Sequence, residues 1–158
     1  MDLRLSLFDR LTDEHPQLTR EFPISPWEQE RQLEAALCRD LSALLNTRRS
    51  EHEIPEEFPL LSKSVLAFGI PDFTSFTLTS RPDQERTRKA IEDTIRLFEP
   101  RLSNVVVTLK APDPQQPPRP ILDFQIDAVL KADPPEAIRF DAILRGDSRQ
   151  FRVSGAEE

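Results

Sequence analysis

The sequence contains little cysteine, glycine or histidine, and each shortage excludes a class of protein. A single cysteine, Cys38, cannot form an internal disulfide framework or a cysteine-based zinc site. Three glycines in 158 residues cannot build a phosphate-binding loop, which needs several glycines close together. The two histidines, His15 and His52, lie far apart and have no second ligand at metal spacing. We therefore expect neither a metal site nor a cofactor.

Long hydrophobic runs are also missing. No run approaches the roughly 20 apolar residues that cross a bilayer, and the start of the chain lacks the hydrophobic region of a signal peptide. The 28 acidic residues outnumber the 21 basic ones, so the formal charge is −7, and no basic stripe is present that could neutralise phosphates. We expect a cytoplasmic chain that neither inserts into a membrane nor binds nucleic acid.

Two long helices are predicted by capping signals followed by apolar residues at helical spacing. The first begins with the capping box Ser25-Pro26-Trp27-Glu28 and ends near Asn46. The second begins after Ser80, where the Ser80 side chain and Asp83 are expected to satisfy free backbone groups. Pro100 ends this second helix because proline cannot continue a helical hydrogen-bond pattern.

Two shorter helical segments are predicted outside these long helices. Residues 61–68 are expected to form a short helix that Gly69 ends, because glycine accepts the positive φ found after a helix. Residues 1–24 contain a short amphipathic helix near Leu3–Leu11, which is too short to fold alone. This N-terminal segment either packs loosely on its own domain or becomes ordered on a partner.

The second half of the chain predicts strands, because apolar and polar residues alternate there. The class is therefore α+β, with two main helices packed on one face of a small antiparallel-rich sheet of about four strands. Residues 25–153 form the single domain, and residues 154–158 are expected to be a disordered tail. The predicted strands are Val105–Leu109, Leu122–Leu130, Ile138–Leu144 and Phe151–Val153.

An acid and a base flank the proline that ends the second helix. In Phe98-Glu99-Pro100-Arg101-Leu102, Pro100 fixes a turn, so Glu99 and Arg101 are held where they could form ion pairs with another chain. The same two side chains could instead satisfy free backbone groups at the end of their own helix. These residues alone leave both interpretations open.

Paired carboxylates are the one catalytic arrangement that the composition still allows. A glycosidase needs a carboxylic acid with a raised pKa and a second carboxylate about 5–10 Å away. Asp123 and Asp127 lie on one face of a predicted strand, but such spacing is typical of a solvated sheet face. We therefore predict a protein that is not an enzyme, with a peptidoglycan-cleaving glycosidase as one alternative.

Several short motifs occur together, in the same order, in one known family. They resemble TssE, the baseplate subunit of type VI secretion systems, which is homologous to the "lysozyme-like" baseplate wedge protein of contractile-tail phages. The resemblance covers about residues 4 to 153. The motifs are Ser6-Leu7-Phe8-Asp9-Arg10-Leu11, Leu44-Leu45-Asn46-Thr47-Arg48, Phe68-Gly69-Ile70-Pro71-Asp72, Phe98-Glu99-Pro100-Arg101-Leu102 and Leu122-Asp123-Phe124-Gln125-Ile126.

The resemblance implies a structural protein of the bacterial cytoplasm, assembled into a baseplate near the inner membrane. In that family the Glu-Pro-Arg motif, here Glu99, Pro100 and Arg101, contacts the core bundle made by other wedge subunits. The family's sheet resembles part of the contractile sheath subunit, so the first sheath ring can continue its strand pairing and sheath assembly can begin there. The resemblance implies no small-molecule substrate.

Continued strand pairing requires an edge strand whose backbone groups are available. Residues 138–144 and 149–153 are candidates because they end the meander. If Glu99 and Arg101 were exposed side by side and unpaired within the domain, a baseplate adaptor between the core bundle and the sheath would be favoured. If both side chains were instead engaged at their own helix end, a generic cytoplasmic protein-binding module would be favoured.

Overall fold

The computed structural model confirms the α+β class. It contains two long helices, two short 3-10 helices and one four-stranded sheet among the residues that it describes. Most of the predicted N-terminal amphipathic helix lies outside those residues. The described residues are 9, 11–12, 17, 25–49, 57–73, 75–111 and 120–155.

The first long helix, α1, spans Pro26–Asn46 and begins as the sequence predicts. Ser25 Oγ accepts a hydrogen bond from the Glu28 backbone N–H at 3.2 Å, and the Glu28 carboxylate accepts one from the Ser25 N–H at 3.0 Å. The capping box is therefore confirmed, and it satisfies two backbone donors that the first turn of a helix leaves free.

The second long helix, α2, spans Arg81–Phe98, and its predicted serine cap is wrong. The Ser80 side chain makes no capping hydrogen bond. Asp83 reaches back past it and accepts from the backbone N–H of Thr77 at 3.1 Å. The first turn of α2 therefore holds the preceding loop through a carboxylate rather than through a hydroxyl.

The segment between the long helices forms two 3-10 helices, Pro59–Lys63 and Val65–Ala67, in place of the single helix predicted over 61–68. Ser64 separates them because its backbone is extended, with φ −91° and ψ 176°. Gly69 follows with φ +100°, which confirms the positive φ predicted there.

The sheet is a meander in which each strand pairs antiparallel with the next. β1 spans Leu102–Leu109, β2 spans Ile121–Leu130, β3 spans Glu136–Arg145 and β4 spans Phe151–Gly155, in the spatial order β1-β2-β3-β4. The edge strands are therefore β1 and β4. Residues 149–153 were correctly predicted to reach an edge, whereas residues 138–144 lie in β3, between two other strands.

The core lies between the helices and one face of the sheet. Alternate residues of each strand face the helices, while the polar residues between them face away. Apolar residues of α1 and α2, spaced three or four apart, cover this face. The largest fully buried side chains include Leu37, Leu41, Leu45, Ile91, Ile95, Phe124, Ile126, Phe140 and Leu144.

Candidate protein-binding site

The Glu-Pro-Arg turn joins the end of α2 to the start of β1. The Glu99 N–H donates to Ile95 O, which closes the last turn of the helix, and Pro100 is exposed immediately after it. Glu99 is only 5% exposed. Its carboxylate accepts from Arg101 Nε at 2.7 Å, from Arg101 Nη2 at 2.6 Å and from the Arg101 backbone N–H at 3.1 Å.

This ion pair is extended by α1. Asp40 Oδ2 accepts from Arg101 Nη2 at 2.7 Å, and Asp40 Oδ1 lies 3.0 Å from Arg39 Nη2. Arg39 also binds Asp9, with Nη1 to Oδ1 at 2.6 Å. The hydrogen bonds that Arg101 donates to Glu99 and, with a smaller effect, to Asp40 raise the pKa of its guanidinium, whereas burial lowers it, so the group stays charged.

Glu99 and Arg101 are not exposed and unpaired, the arrangement that would favour the adaptor, but paired with each other within the domain. The turn at Pro100 directs Arg101 back over Glu99, and Asp40 binds the same guanidinium from the neighbouring helix. Arg101 keeps 22% of its side-chain surface exposed, while its Nη1 atom is buried without a hydrogen-bond partner. Lys131 Nζ also donates to the Pro100 carbonyl oxygen at 2.8 Å, which adds a contact from the end of β2 to the turn.

The outer edge of β1 is occupied by side chains of α2. Arg88 Nη1 donates to Val107 O at 3.1 Å and Arg96 Nη2 donates to Val105 O at 2.7 Å. Glu92 Oε2 accepts from the Val107 N–H at 3.1 Å. These three helix residues are spaced four apart and bind one another, with Glu92 2.7 Å from Arg88 and 2.8 Å from Arg96. An incoming strand would have to displace this charged row.

The outer edge of β4 meets α1 and is less heavily occupied. The Asn46 side-chain amide donates to Phe151 O and accepts from the Phe151 N–H, both at 2.8 Å, as a paired strand would. At the other end of β4, the Gly155 N–H faces the sulfur of Cys38. Alternation along β4 therefore directs the Val153 N–H and C=O outward between these two contacts.

The acidic pair considered for catalysis is not brought together. Asp127 accepts from Arg139 Nε at 2.7 Å and from Gln125 Nε2 at 2.8 Å, which lowers its pKa. Asp123 has a buried Oδ1 without a hydrogen-bond partner, and burial raises its pKa. Its nearest charges come from Lys110 and Asp141, which bind each other at 2.7 Å. Asp123 and Asp127 therefore lie on a polar sheet face, where only Asp123 has a carboxylate oxygen without a hydrogen-bond partner.

A second carboxylate pair is present but lacks the geometry of a glycosidase. Glu136 shares a hydrogen bond with Glu30, which raises the pKa of Glu136. Both residues are exposed, and carboxylates in direct contact leave no room for a sugar or an attacking water between them. The contact therefore joins the start of β3 to α1 without forming a cleft of the kind that the reaction requires.

The cysteine and the two histidines are the remaining candidate functional residues of the sequence. Cys38 is half-buried, and burial raises its pKa to about 11, so the thiol stays protonated at neutral pH. His15 and His52 lie outside the described residues. Within the described residues, no His, Cys, Asp and Glu side chains cluster as a metal site would require. None of the helices described is both long and apolar enough to span a bilayer.

Comparison with known proteins gives a family match and a similar chain among solved structures. Residues 31–135, more than half of the chain, match the family of baseplate wedge protein gp25. A chain in a structure titled "The baseplate complex from the type VI secretion system" is similar, with 17% sequence identity and a TM-score of 0.48. That alignment covers 81% of this chain and 98% of the other. No curated protein matches the sequence.

Proposed function

The chain belongs to the baseplate wedge protein gp25 family, and we propose that it is a structural baseplate subunit of a type VI secretion system. The family match over residues 31–135 carries this proposal, and it agrees with the resemblance drawn from the motifs. In the proposed role the protein is not an enzyme and needs no cofactor or small-molecule substrate. It works in the bacterial cytoplasm, within a baseplate docked near the inner membrane.

The proposed contact with the core bundle of the wedge is the turn at Glu99, Pro100 and Arg101. The Glu99–Arg101 pair and Asp40 already fix the turn. Little conformational entropy would therefore be lost when the turn binds a partner. Pro100 is exposed at its apex, and Arg101 is partly exposed beside it. In this proposal Pro100 supplies contact surface, while Arg101 both holds the turn and meets an acceptor on the partner.

The proposed contact with the first sheath ring is the outer edge of β4. The charged row of Arg88, Glu92 and Arg96 blocks the β1 edge. At β4 an incoming strand would replace the two neutral hydrogen bonds that Asn46 makes with Phe151, which favours this edge. Through these two contacts the subunit would join the core bundle to the sheath and help to nucleate sheath assembly.

The first experiment is co-expression with wedge subunits and sheath subunits, followed by size exclusion. We expect the wild-type chain to co-elute with both. Arg101→Ala should lose about 2–5 kcal/mol of wedge binding if the guanidinium is buried at the interface. Pro100→Arg leaves the Glu99–Arg101–Asp40 contacts possible, so weaker wedge binding with an unchanged melting temperature would support a direct contact. Unchanged wedge binding by both variants would remove the turn from the proposal.

The sheath contact can be tested with two matched proline variants. Val153 and Val107 are both buried, and both direct their N–H away from the neighbouring strand. Proline removes this outward donor while sparing the ladder inside the sheet. We expect Val153→Pro to abolish co-elution with sheath subunits and Val107→Pro to preserve it, once thermal melts show that both are folded. The reverse result would move the contact to β1.

A generic protein-binding module is the second candidate, because Glu99 and Arg101 are paired within the domain. The same co-expression distinguishes the two functions. Failure of the folded wild-type chain to co-elute with any wedge or sheath subunit would favour the module. Peptidoglycan cleavage abolished by a single Glu or Asp substitution would instead favour the glycosidase alternative.

A further inference from the structure

A row of alternating charges connects Asp9 to the Glu-Pro-Arg turn. Arg39 lies beside Asp9, with Nη1 2.6 Å from Asp9 Oδ1 and Nη2 2.9 Å from Asp9 Oδ2. Asp40 lies between two arginines, because its Oδ1 accepts from Arg39 Nη2 at 3.0 Å and its Oδ2 accepts from Arg101 Nη2 at 2.7 Å. Arg101 then binds Glu99. These five residues, here called the Asp9–Glu99 network, join Asp9 to the turn across α1.

Asp9 fixes the orientation of the Arg39 guanidinium. The two parallel contacts between them form a bidentate pair, which defines the plane of the guanidinium as well as its distance. The hydrogen bonds that Arg39 donates to Asp9 and, with a smaller effect, to Asp40 raise the pKa of Arg39, whereas burial lowers it. The Asp9 side chain is only 14% exposed, and that of Arg39 is 48% exposed. The less exposed carboxylate therefore holds the more exposed arginine.

The orientation of Arg39 decides how much of Asp40 is left for Arg101. Arg39 Nε and Nη2 both donate to Asp40 Oδ1, at 3.3 and 3.0 Å, whereas Asp40 Oδ2 accepts from Arg101 Nη2. Without the charge of Asp9, Arg39 can turn its rigid fork of N–H groups onto both oxygens of Asp40. Asp40 Oδ2 would then be shared between two arginines, and its contact with Arg101 would weaken.

Partial burial makes this competition stronger than it would be between fully exposed charges. The side chains of Asp40 and Arg101 are 28% and 22% exposed, whereas those of the surface pair Arg145 and Asp147 are 62% and 63% exposed. Charges that are partly removed from water are less screened by salt, and the members of a hydrogen-bonded network affect one another beyond their direct neighbours. A change at Asp9 should therefore reach Arg101, although two residues lie between them.

We propose that Asp9 is a positioning residue of the Glu-Pro-Arg turn. It holds Arg39 so that Asp40 stays bound to Arg101. The Arg101 guanidinium is thereby fixed against Glu99 and presented in one orientation. This positioning is a property of the chain by itself, whereas its consequence for wedge binding rests on the proposed function.

Hydrogen exchange at the Arg101 side chain tests the positioning role without a partner. Arg101 Nε donates to Glu99 at 2.7 Å, so nuclear magnetic resonance can follow how often this N–H opens to water. Asp9→Asn should speed the exchange of this N–H by about threefold or more, and Asp40→Asn, which removes the adjacent charge, should speed it further. Asp9→Glu keeps the carboxylate and should restore slow exchange.

Asp127→Asn is the matched control, because it removes an aspartate charge from Arg139 Nε on the sheet, outside the Asp9–Glu99 network. This variant should leave exchange at Arg101 unchanged, and circular dichroism should show that all variants are folded. Unchanged exchange in Asp9→Asn would overturn the proposal, because Asp9 would then only attach its own segment to α1. So would equally fast exchange in Asp9→Glu and Asp9→Asn, or a similar acceleration in Asp127→Asn.

The consequence for the proposed function is measured separately. In titrations with wedge subunits, Asp9→Asn should bind about two- to tenfold more weakly than the wild-type chain, and Asp9→Glu should restore binding. Faster exchange at Arg101 with unchanged wedge binding would support the positioning role and count against the turn as the wedge contact. If the wild-type chain bound no wedge subunit, the proposed function would fail, while the exchange measurement would still decide the role of Asp9.

Discussion

Arg101 and Asp40 are 61 residues apart in the sequence, yet Arg101 Nη2 lies 2.7 Å from Asp40 Oδ2. This contact joins the middle of α1 to the turn between α2 and β1. Because Glu99 accepts from Nε and from the same Nη2 of this guanidinium, one arginine holds three segments together. The Glu-Pro-Arg motif is therefore a structural joint of the domain as well as the proposed contact with the core bundle.

Glu99→Gln should destabilise the domain more than Asp40→Asn. Glu99 is almost fully buried, and its negative charge balances the positive charge of the partly buried Arg101. Removing that negative charge should lower the free energy of unfolding by about 2–3 kcal/mol. Asp40 is 28% exposed at its side chain, and its change should cost about 1 kcal/mol. Urea unfolding measures both. The exposed pair Arg145–Asp147 supplies the control, since Asp147→Asn should leave the free energy of unfolding almost unchanged. Equal costs for all three variants would contradict this account.

Glu92→Gln should loosen the edge of β1. Glu92 accepts from the Val107 N–H and binds both Arg88 and Arg96, so neutralising it weakens all three contacts. We expect a loss of about 1–2 kcal/mol and faster hydrogen exchange at the Val107 amide. Glu85→Gln is the control, because Glu85 binds Arg88 but not β1. Val107 exchange that is equally slow in both variants would show that Glu92 does not protect this edge.

Gly69→Ala should be strongly destabilising. At φ +100° an L side chain is strained, and its Cβ would collide with the Thr47 carbonyl oxygen, which already accepts from the Ile70 N–H. We expect a loss of about 3 kcal/mol in the free energy of unfolding. Gly155→Ala should cost less than about 1 kcal/mol, because its Cβ would meet only the movable end of Glu34. Thermal melts that rank the two variants in the opposite order would refute this explanation.

Asp123→Asn should stabilise the protein at neutral pH. Burial raises the pKa of Asp123, so its ionised form is less stable in the folded chain than in the unfolded chain. This penalty is fully present above the folded pKa and disappears as the pH falls below the unfolded value. The variant should therefore be more stable than the wild-type chain at pH 7, with a higher Tm, and should lose this advantage in acid. A gain that is independent of pH would indicate another cause.

Much of the fold follows from local sequence patterns. The capping box at Ser25, the positive φ at Gly69 and the alternation along β2 each depend on residues close in the chain, and all three are confirmed. The cap predicted at Ser80 was wrong: the Ser80 side chain makes no capping hydrogen bond, and Asp83 accepts from the Thr77 N–H in the preceding loop, a partner that residue spacing does not indicate. The predicted sheet edge was correct for residues 149–153 and wrong for residues 138–144. Strand order depends on pairings between strands, which the sequence of a single strand does not indicate.

The candidate site was predictable only in part. Glu99 and Arg101 attract notice because they flank a helix-ending proline, but nothing near them in the sequence indicates Asp40. The rows of side chains on the two sheet edges were also missed. Their helical spacing is visible in Arg88, Glu92 and Arg96, yet such spacing is equally typical of a solvated helix face until β1 is placed beside it.

The contact between Asn46 and Phe151 also bears on how the chain folds during synthesis. These residues are 105 positions apart, so the first long helix has its partner strand only when nearly the whole described chain has been made. The meander itself can form strand by strand, since each strand pairs with its predecessor. We therefore expect α1 to stay undocked until β4 emerges from the ribosome. During that time its row of leucine side chains is accessible to chaperones.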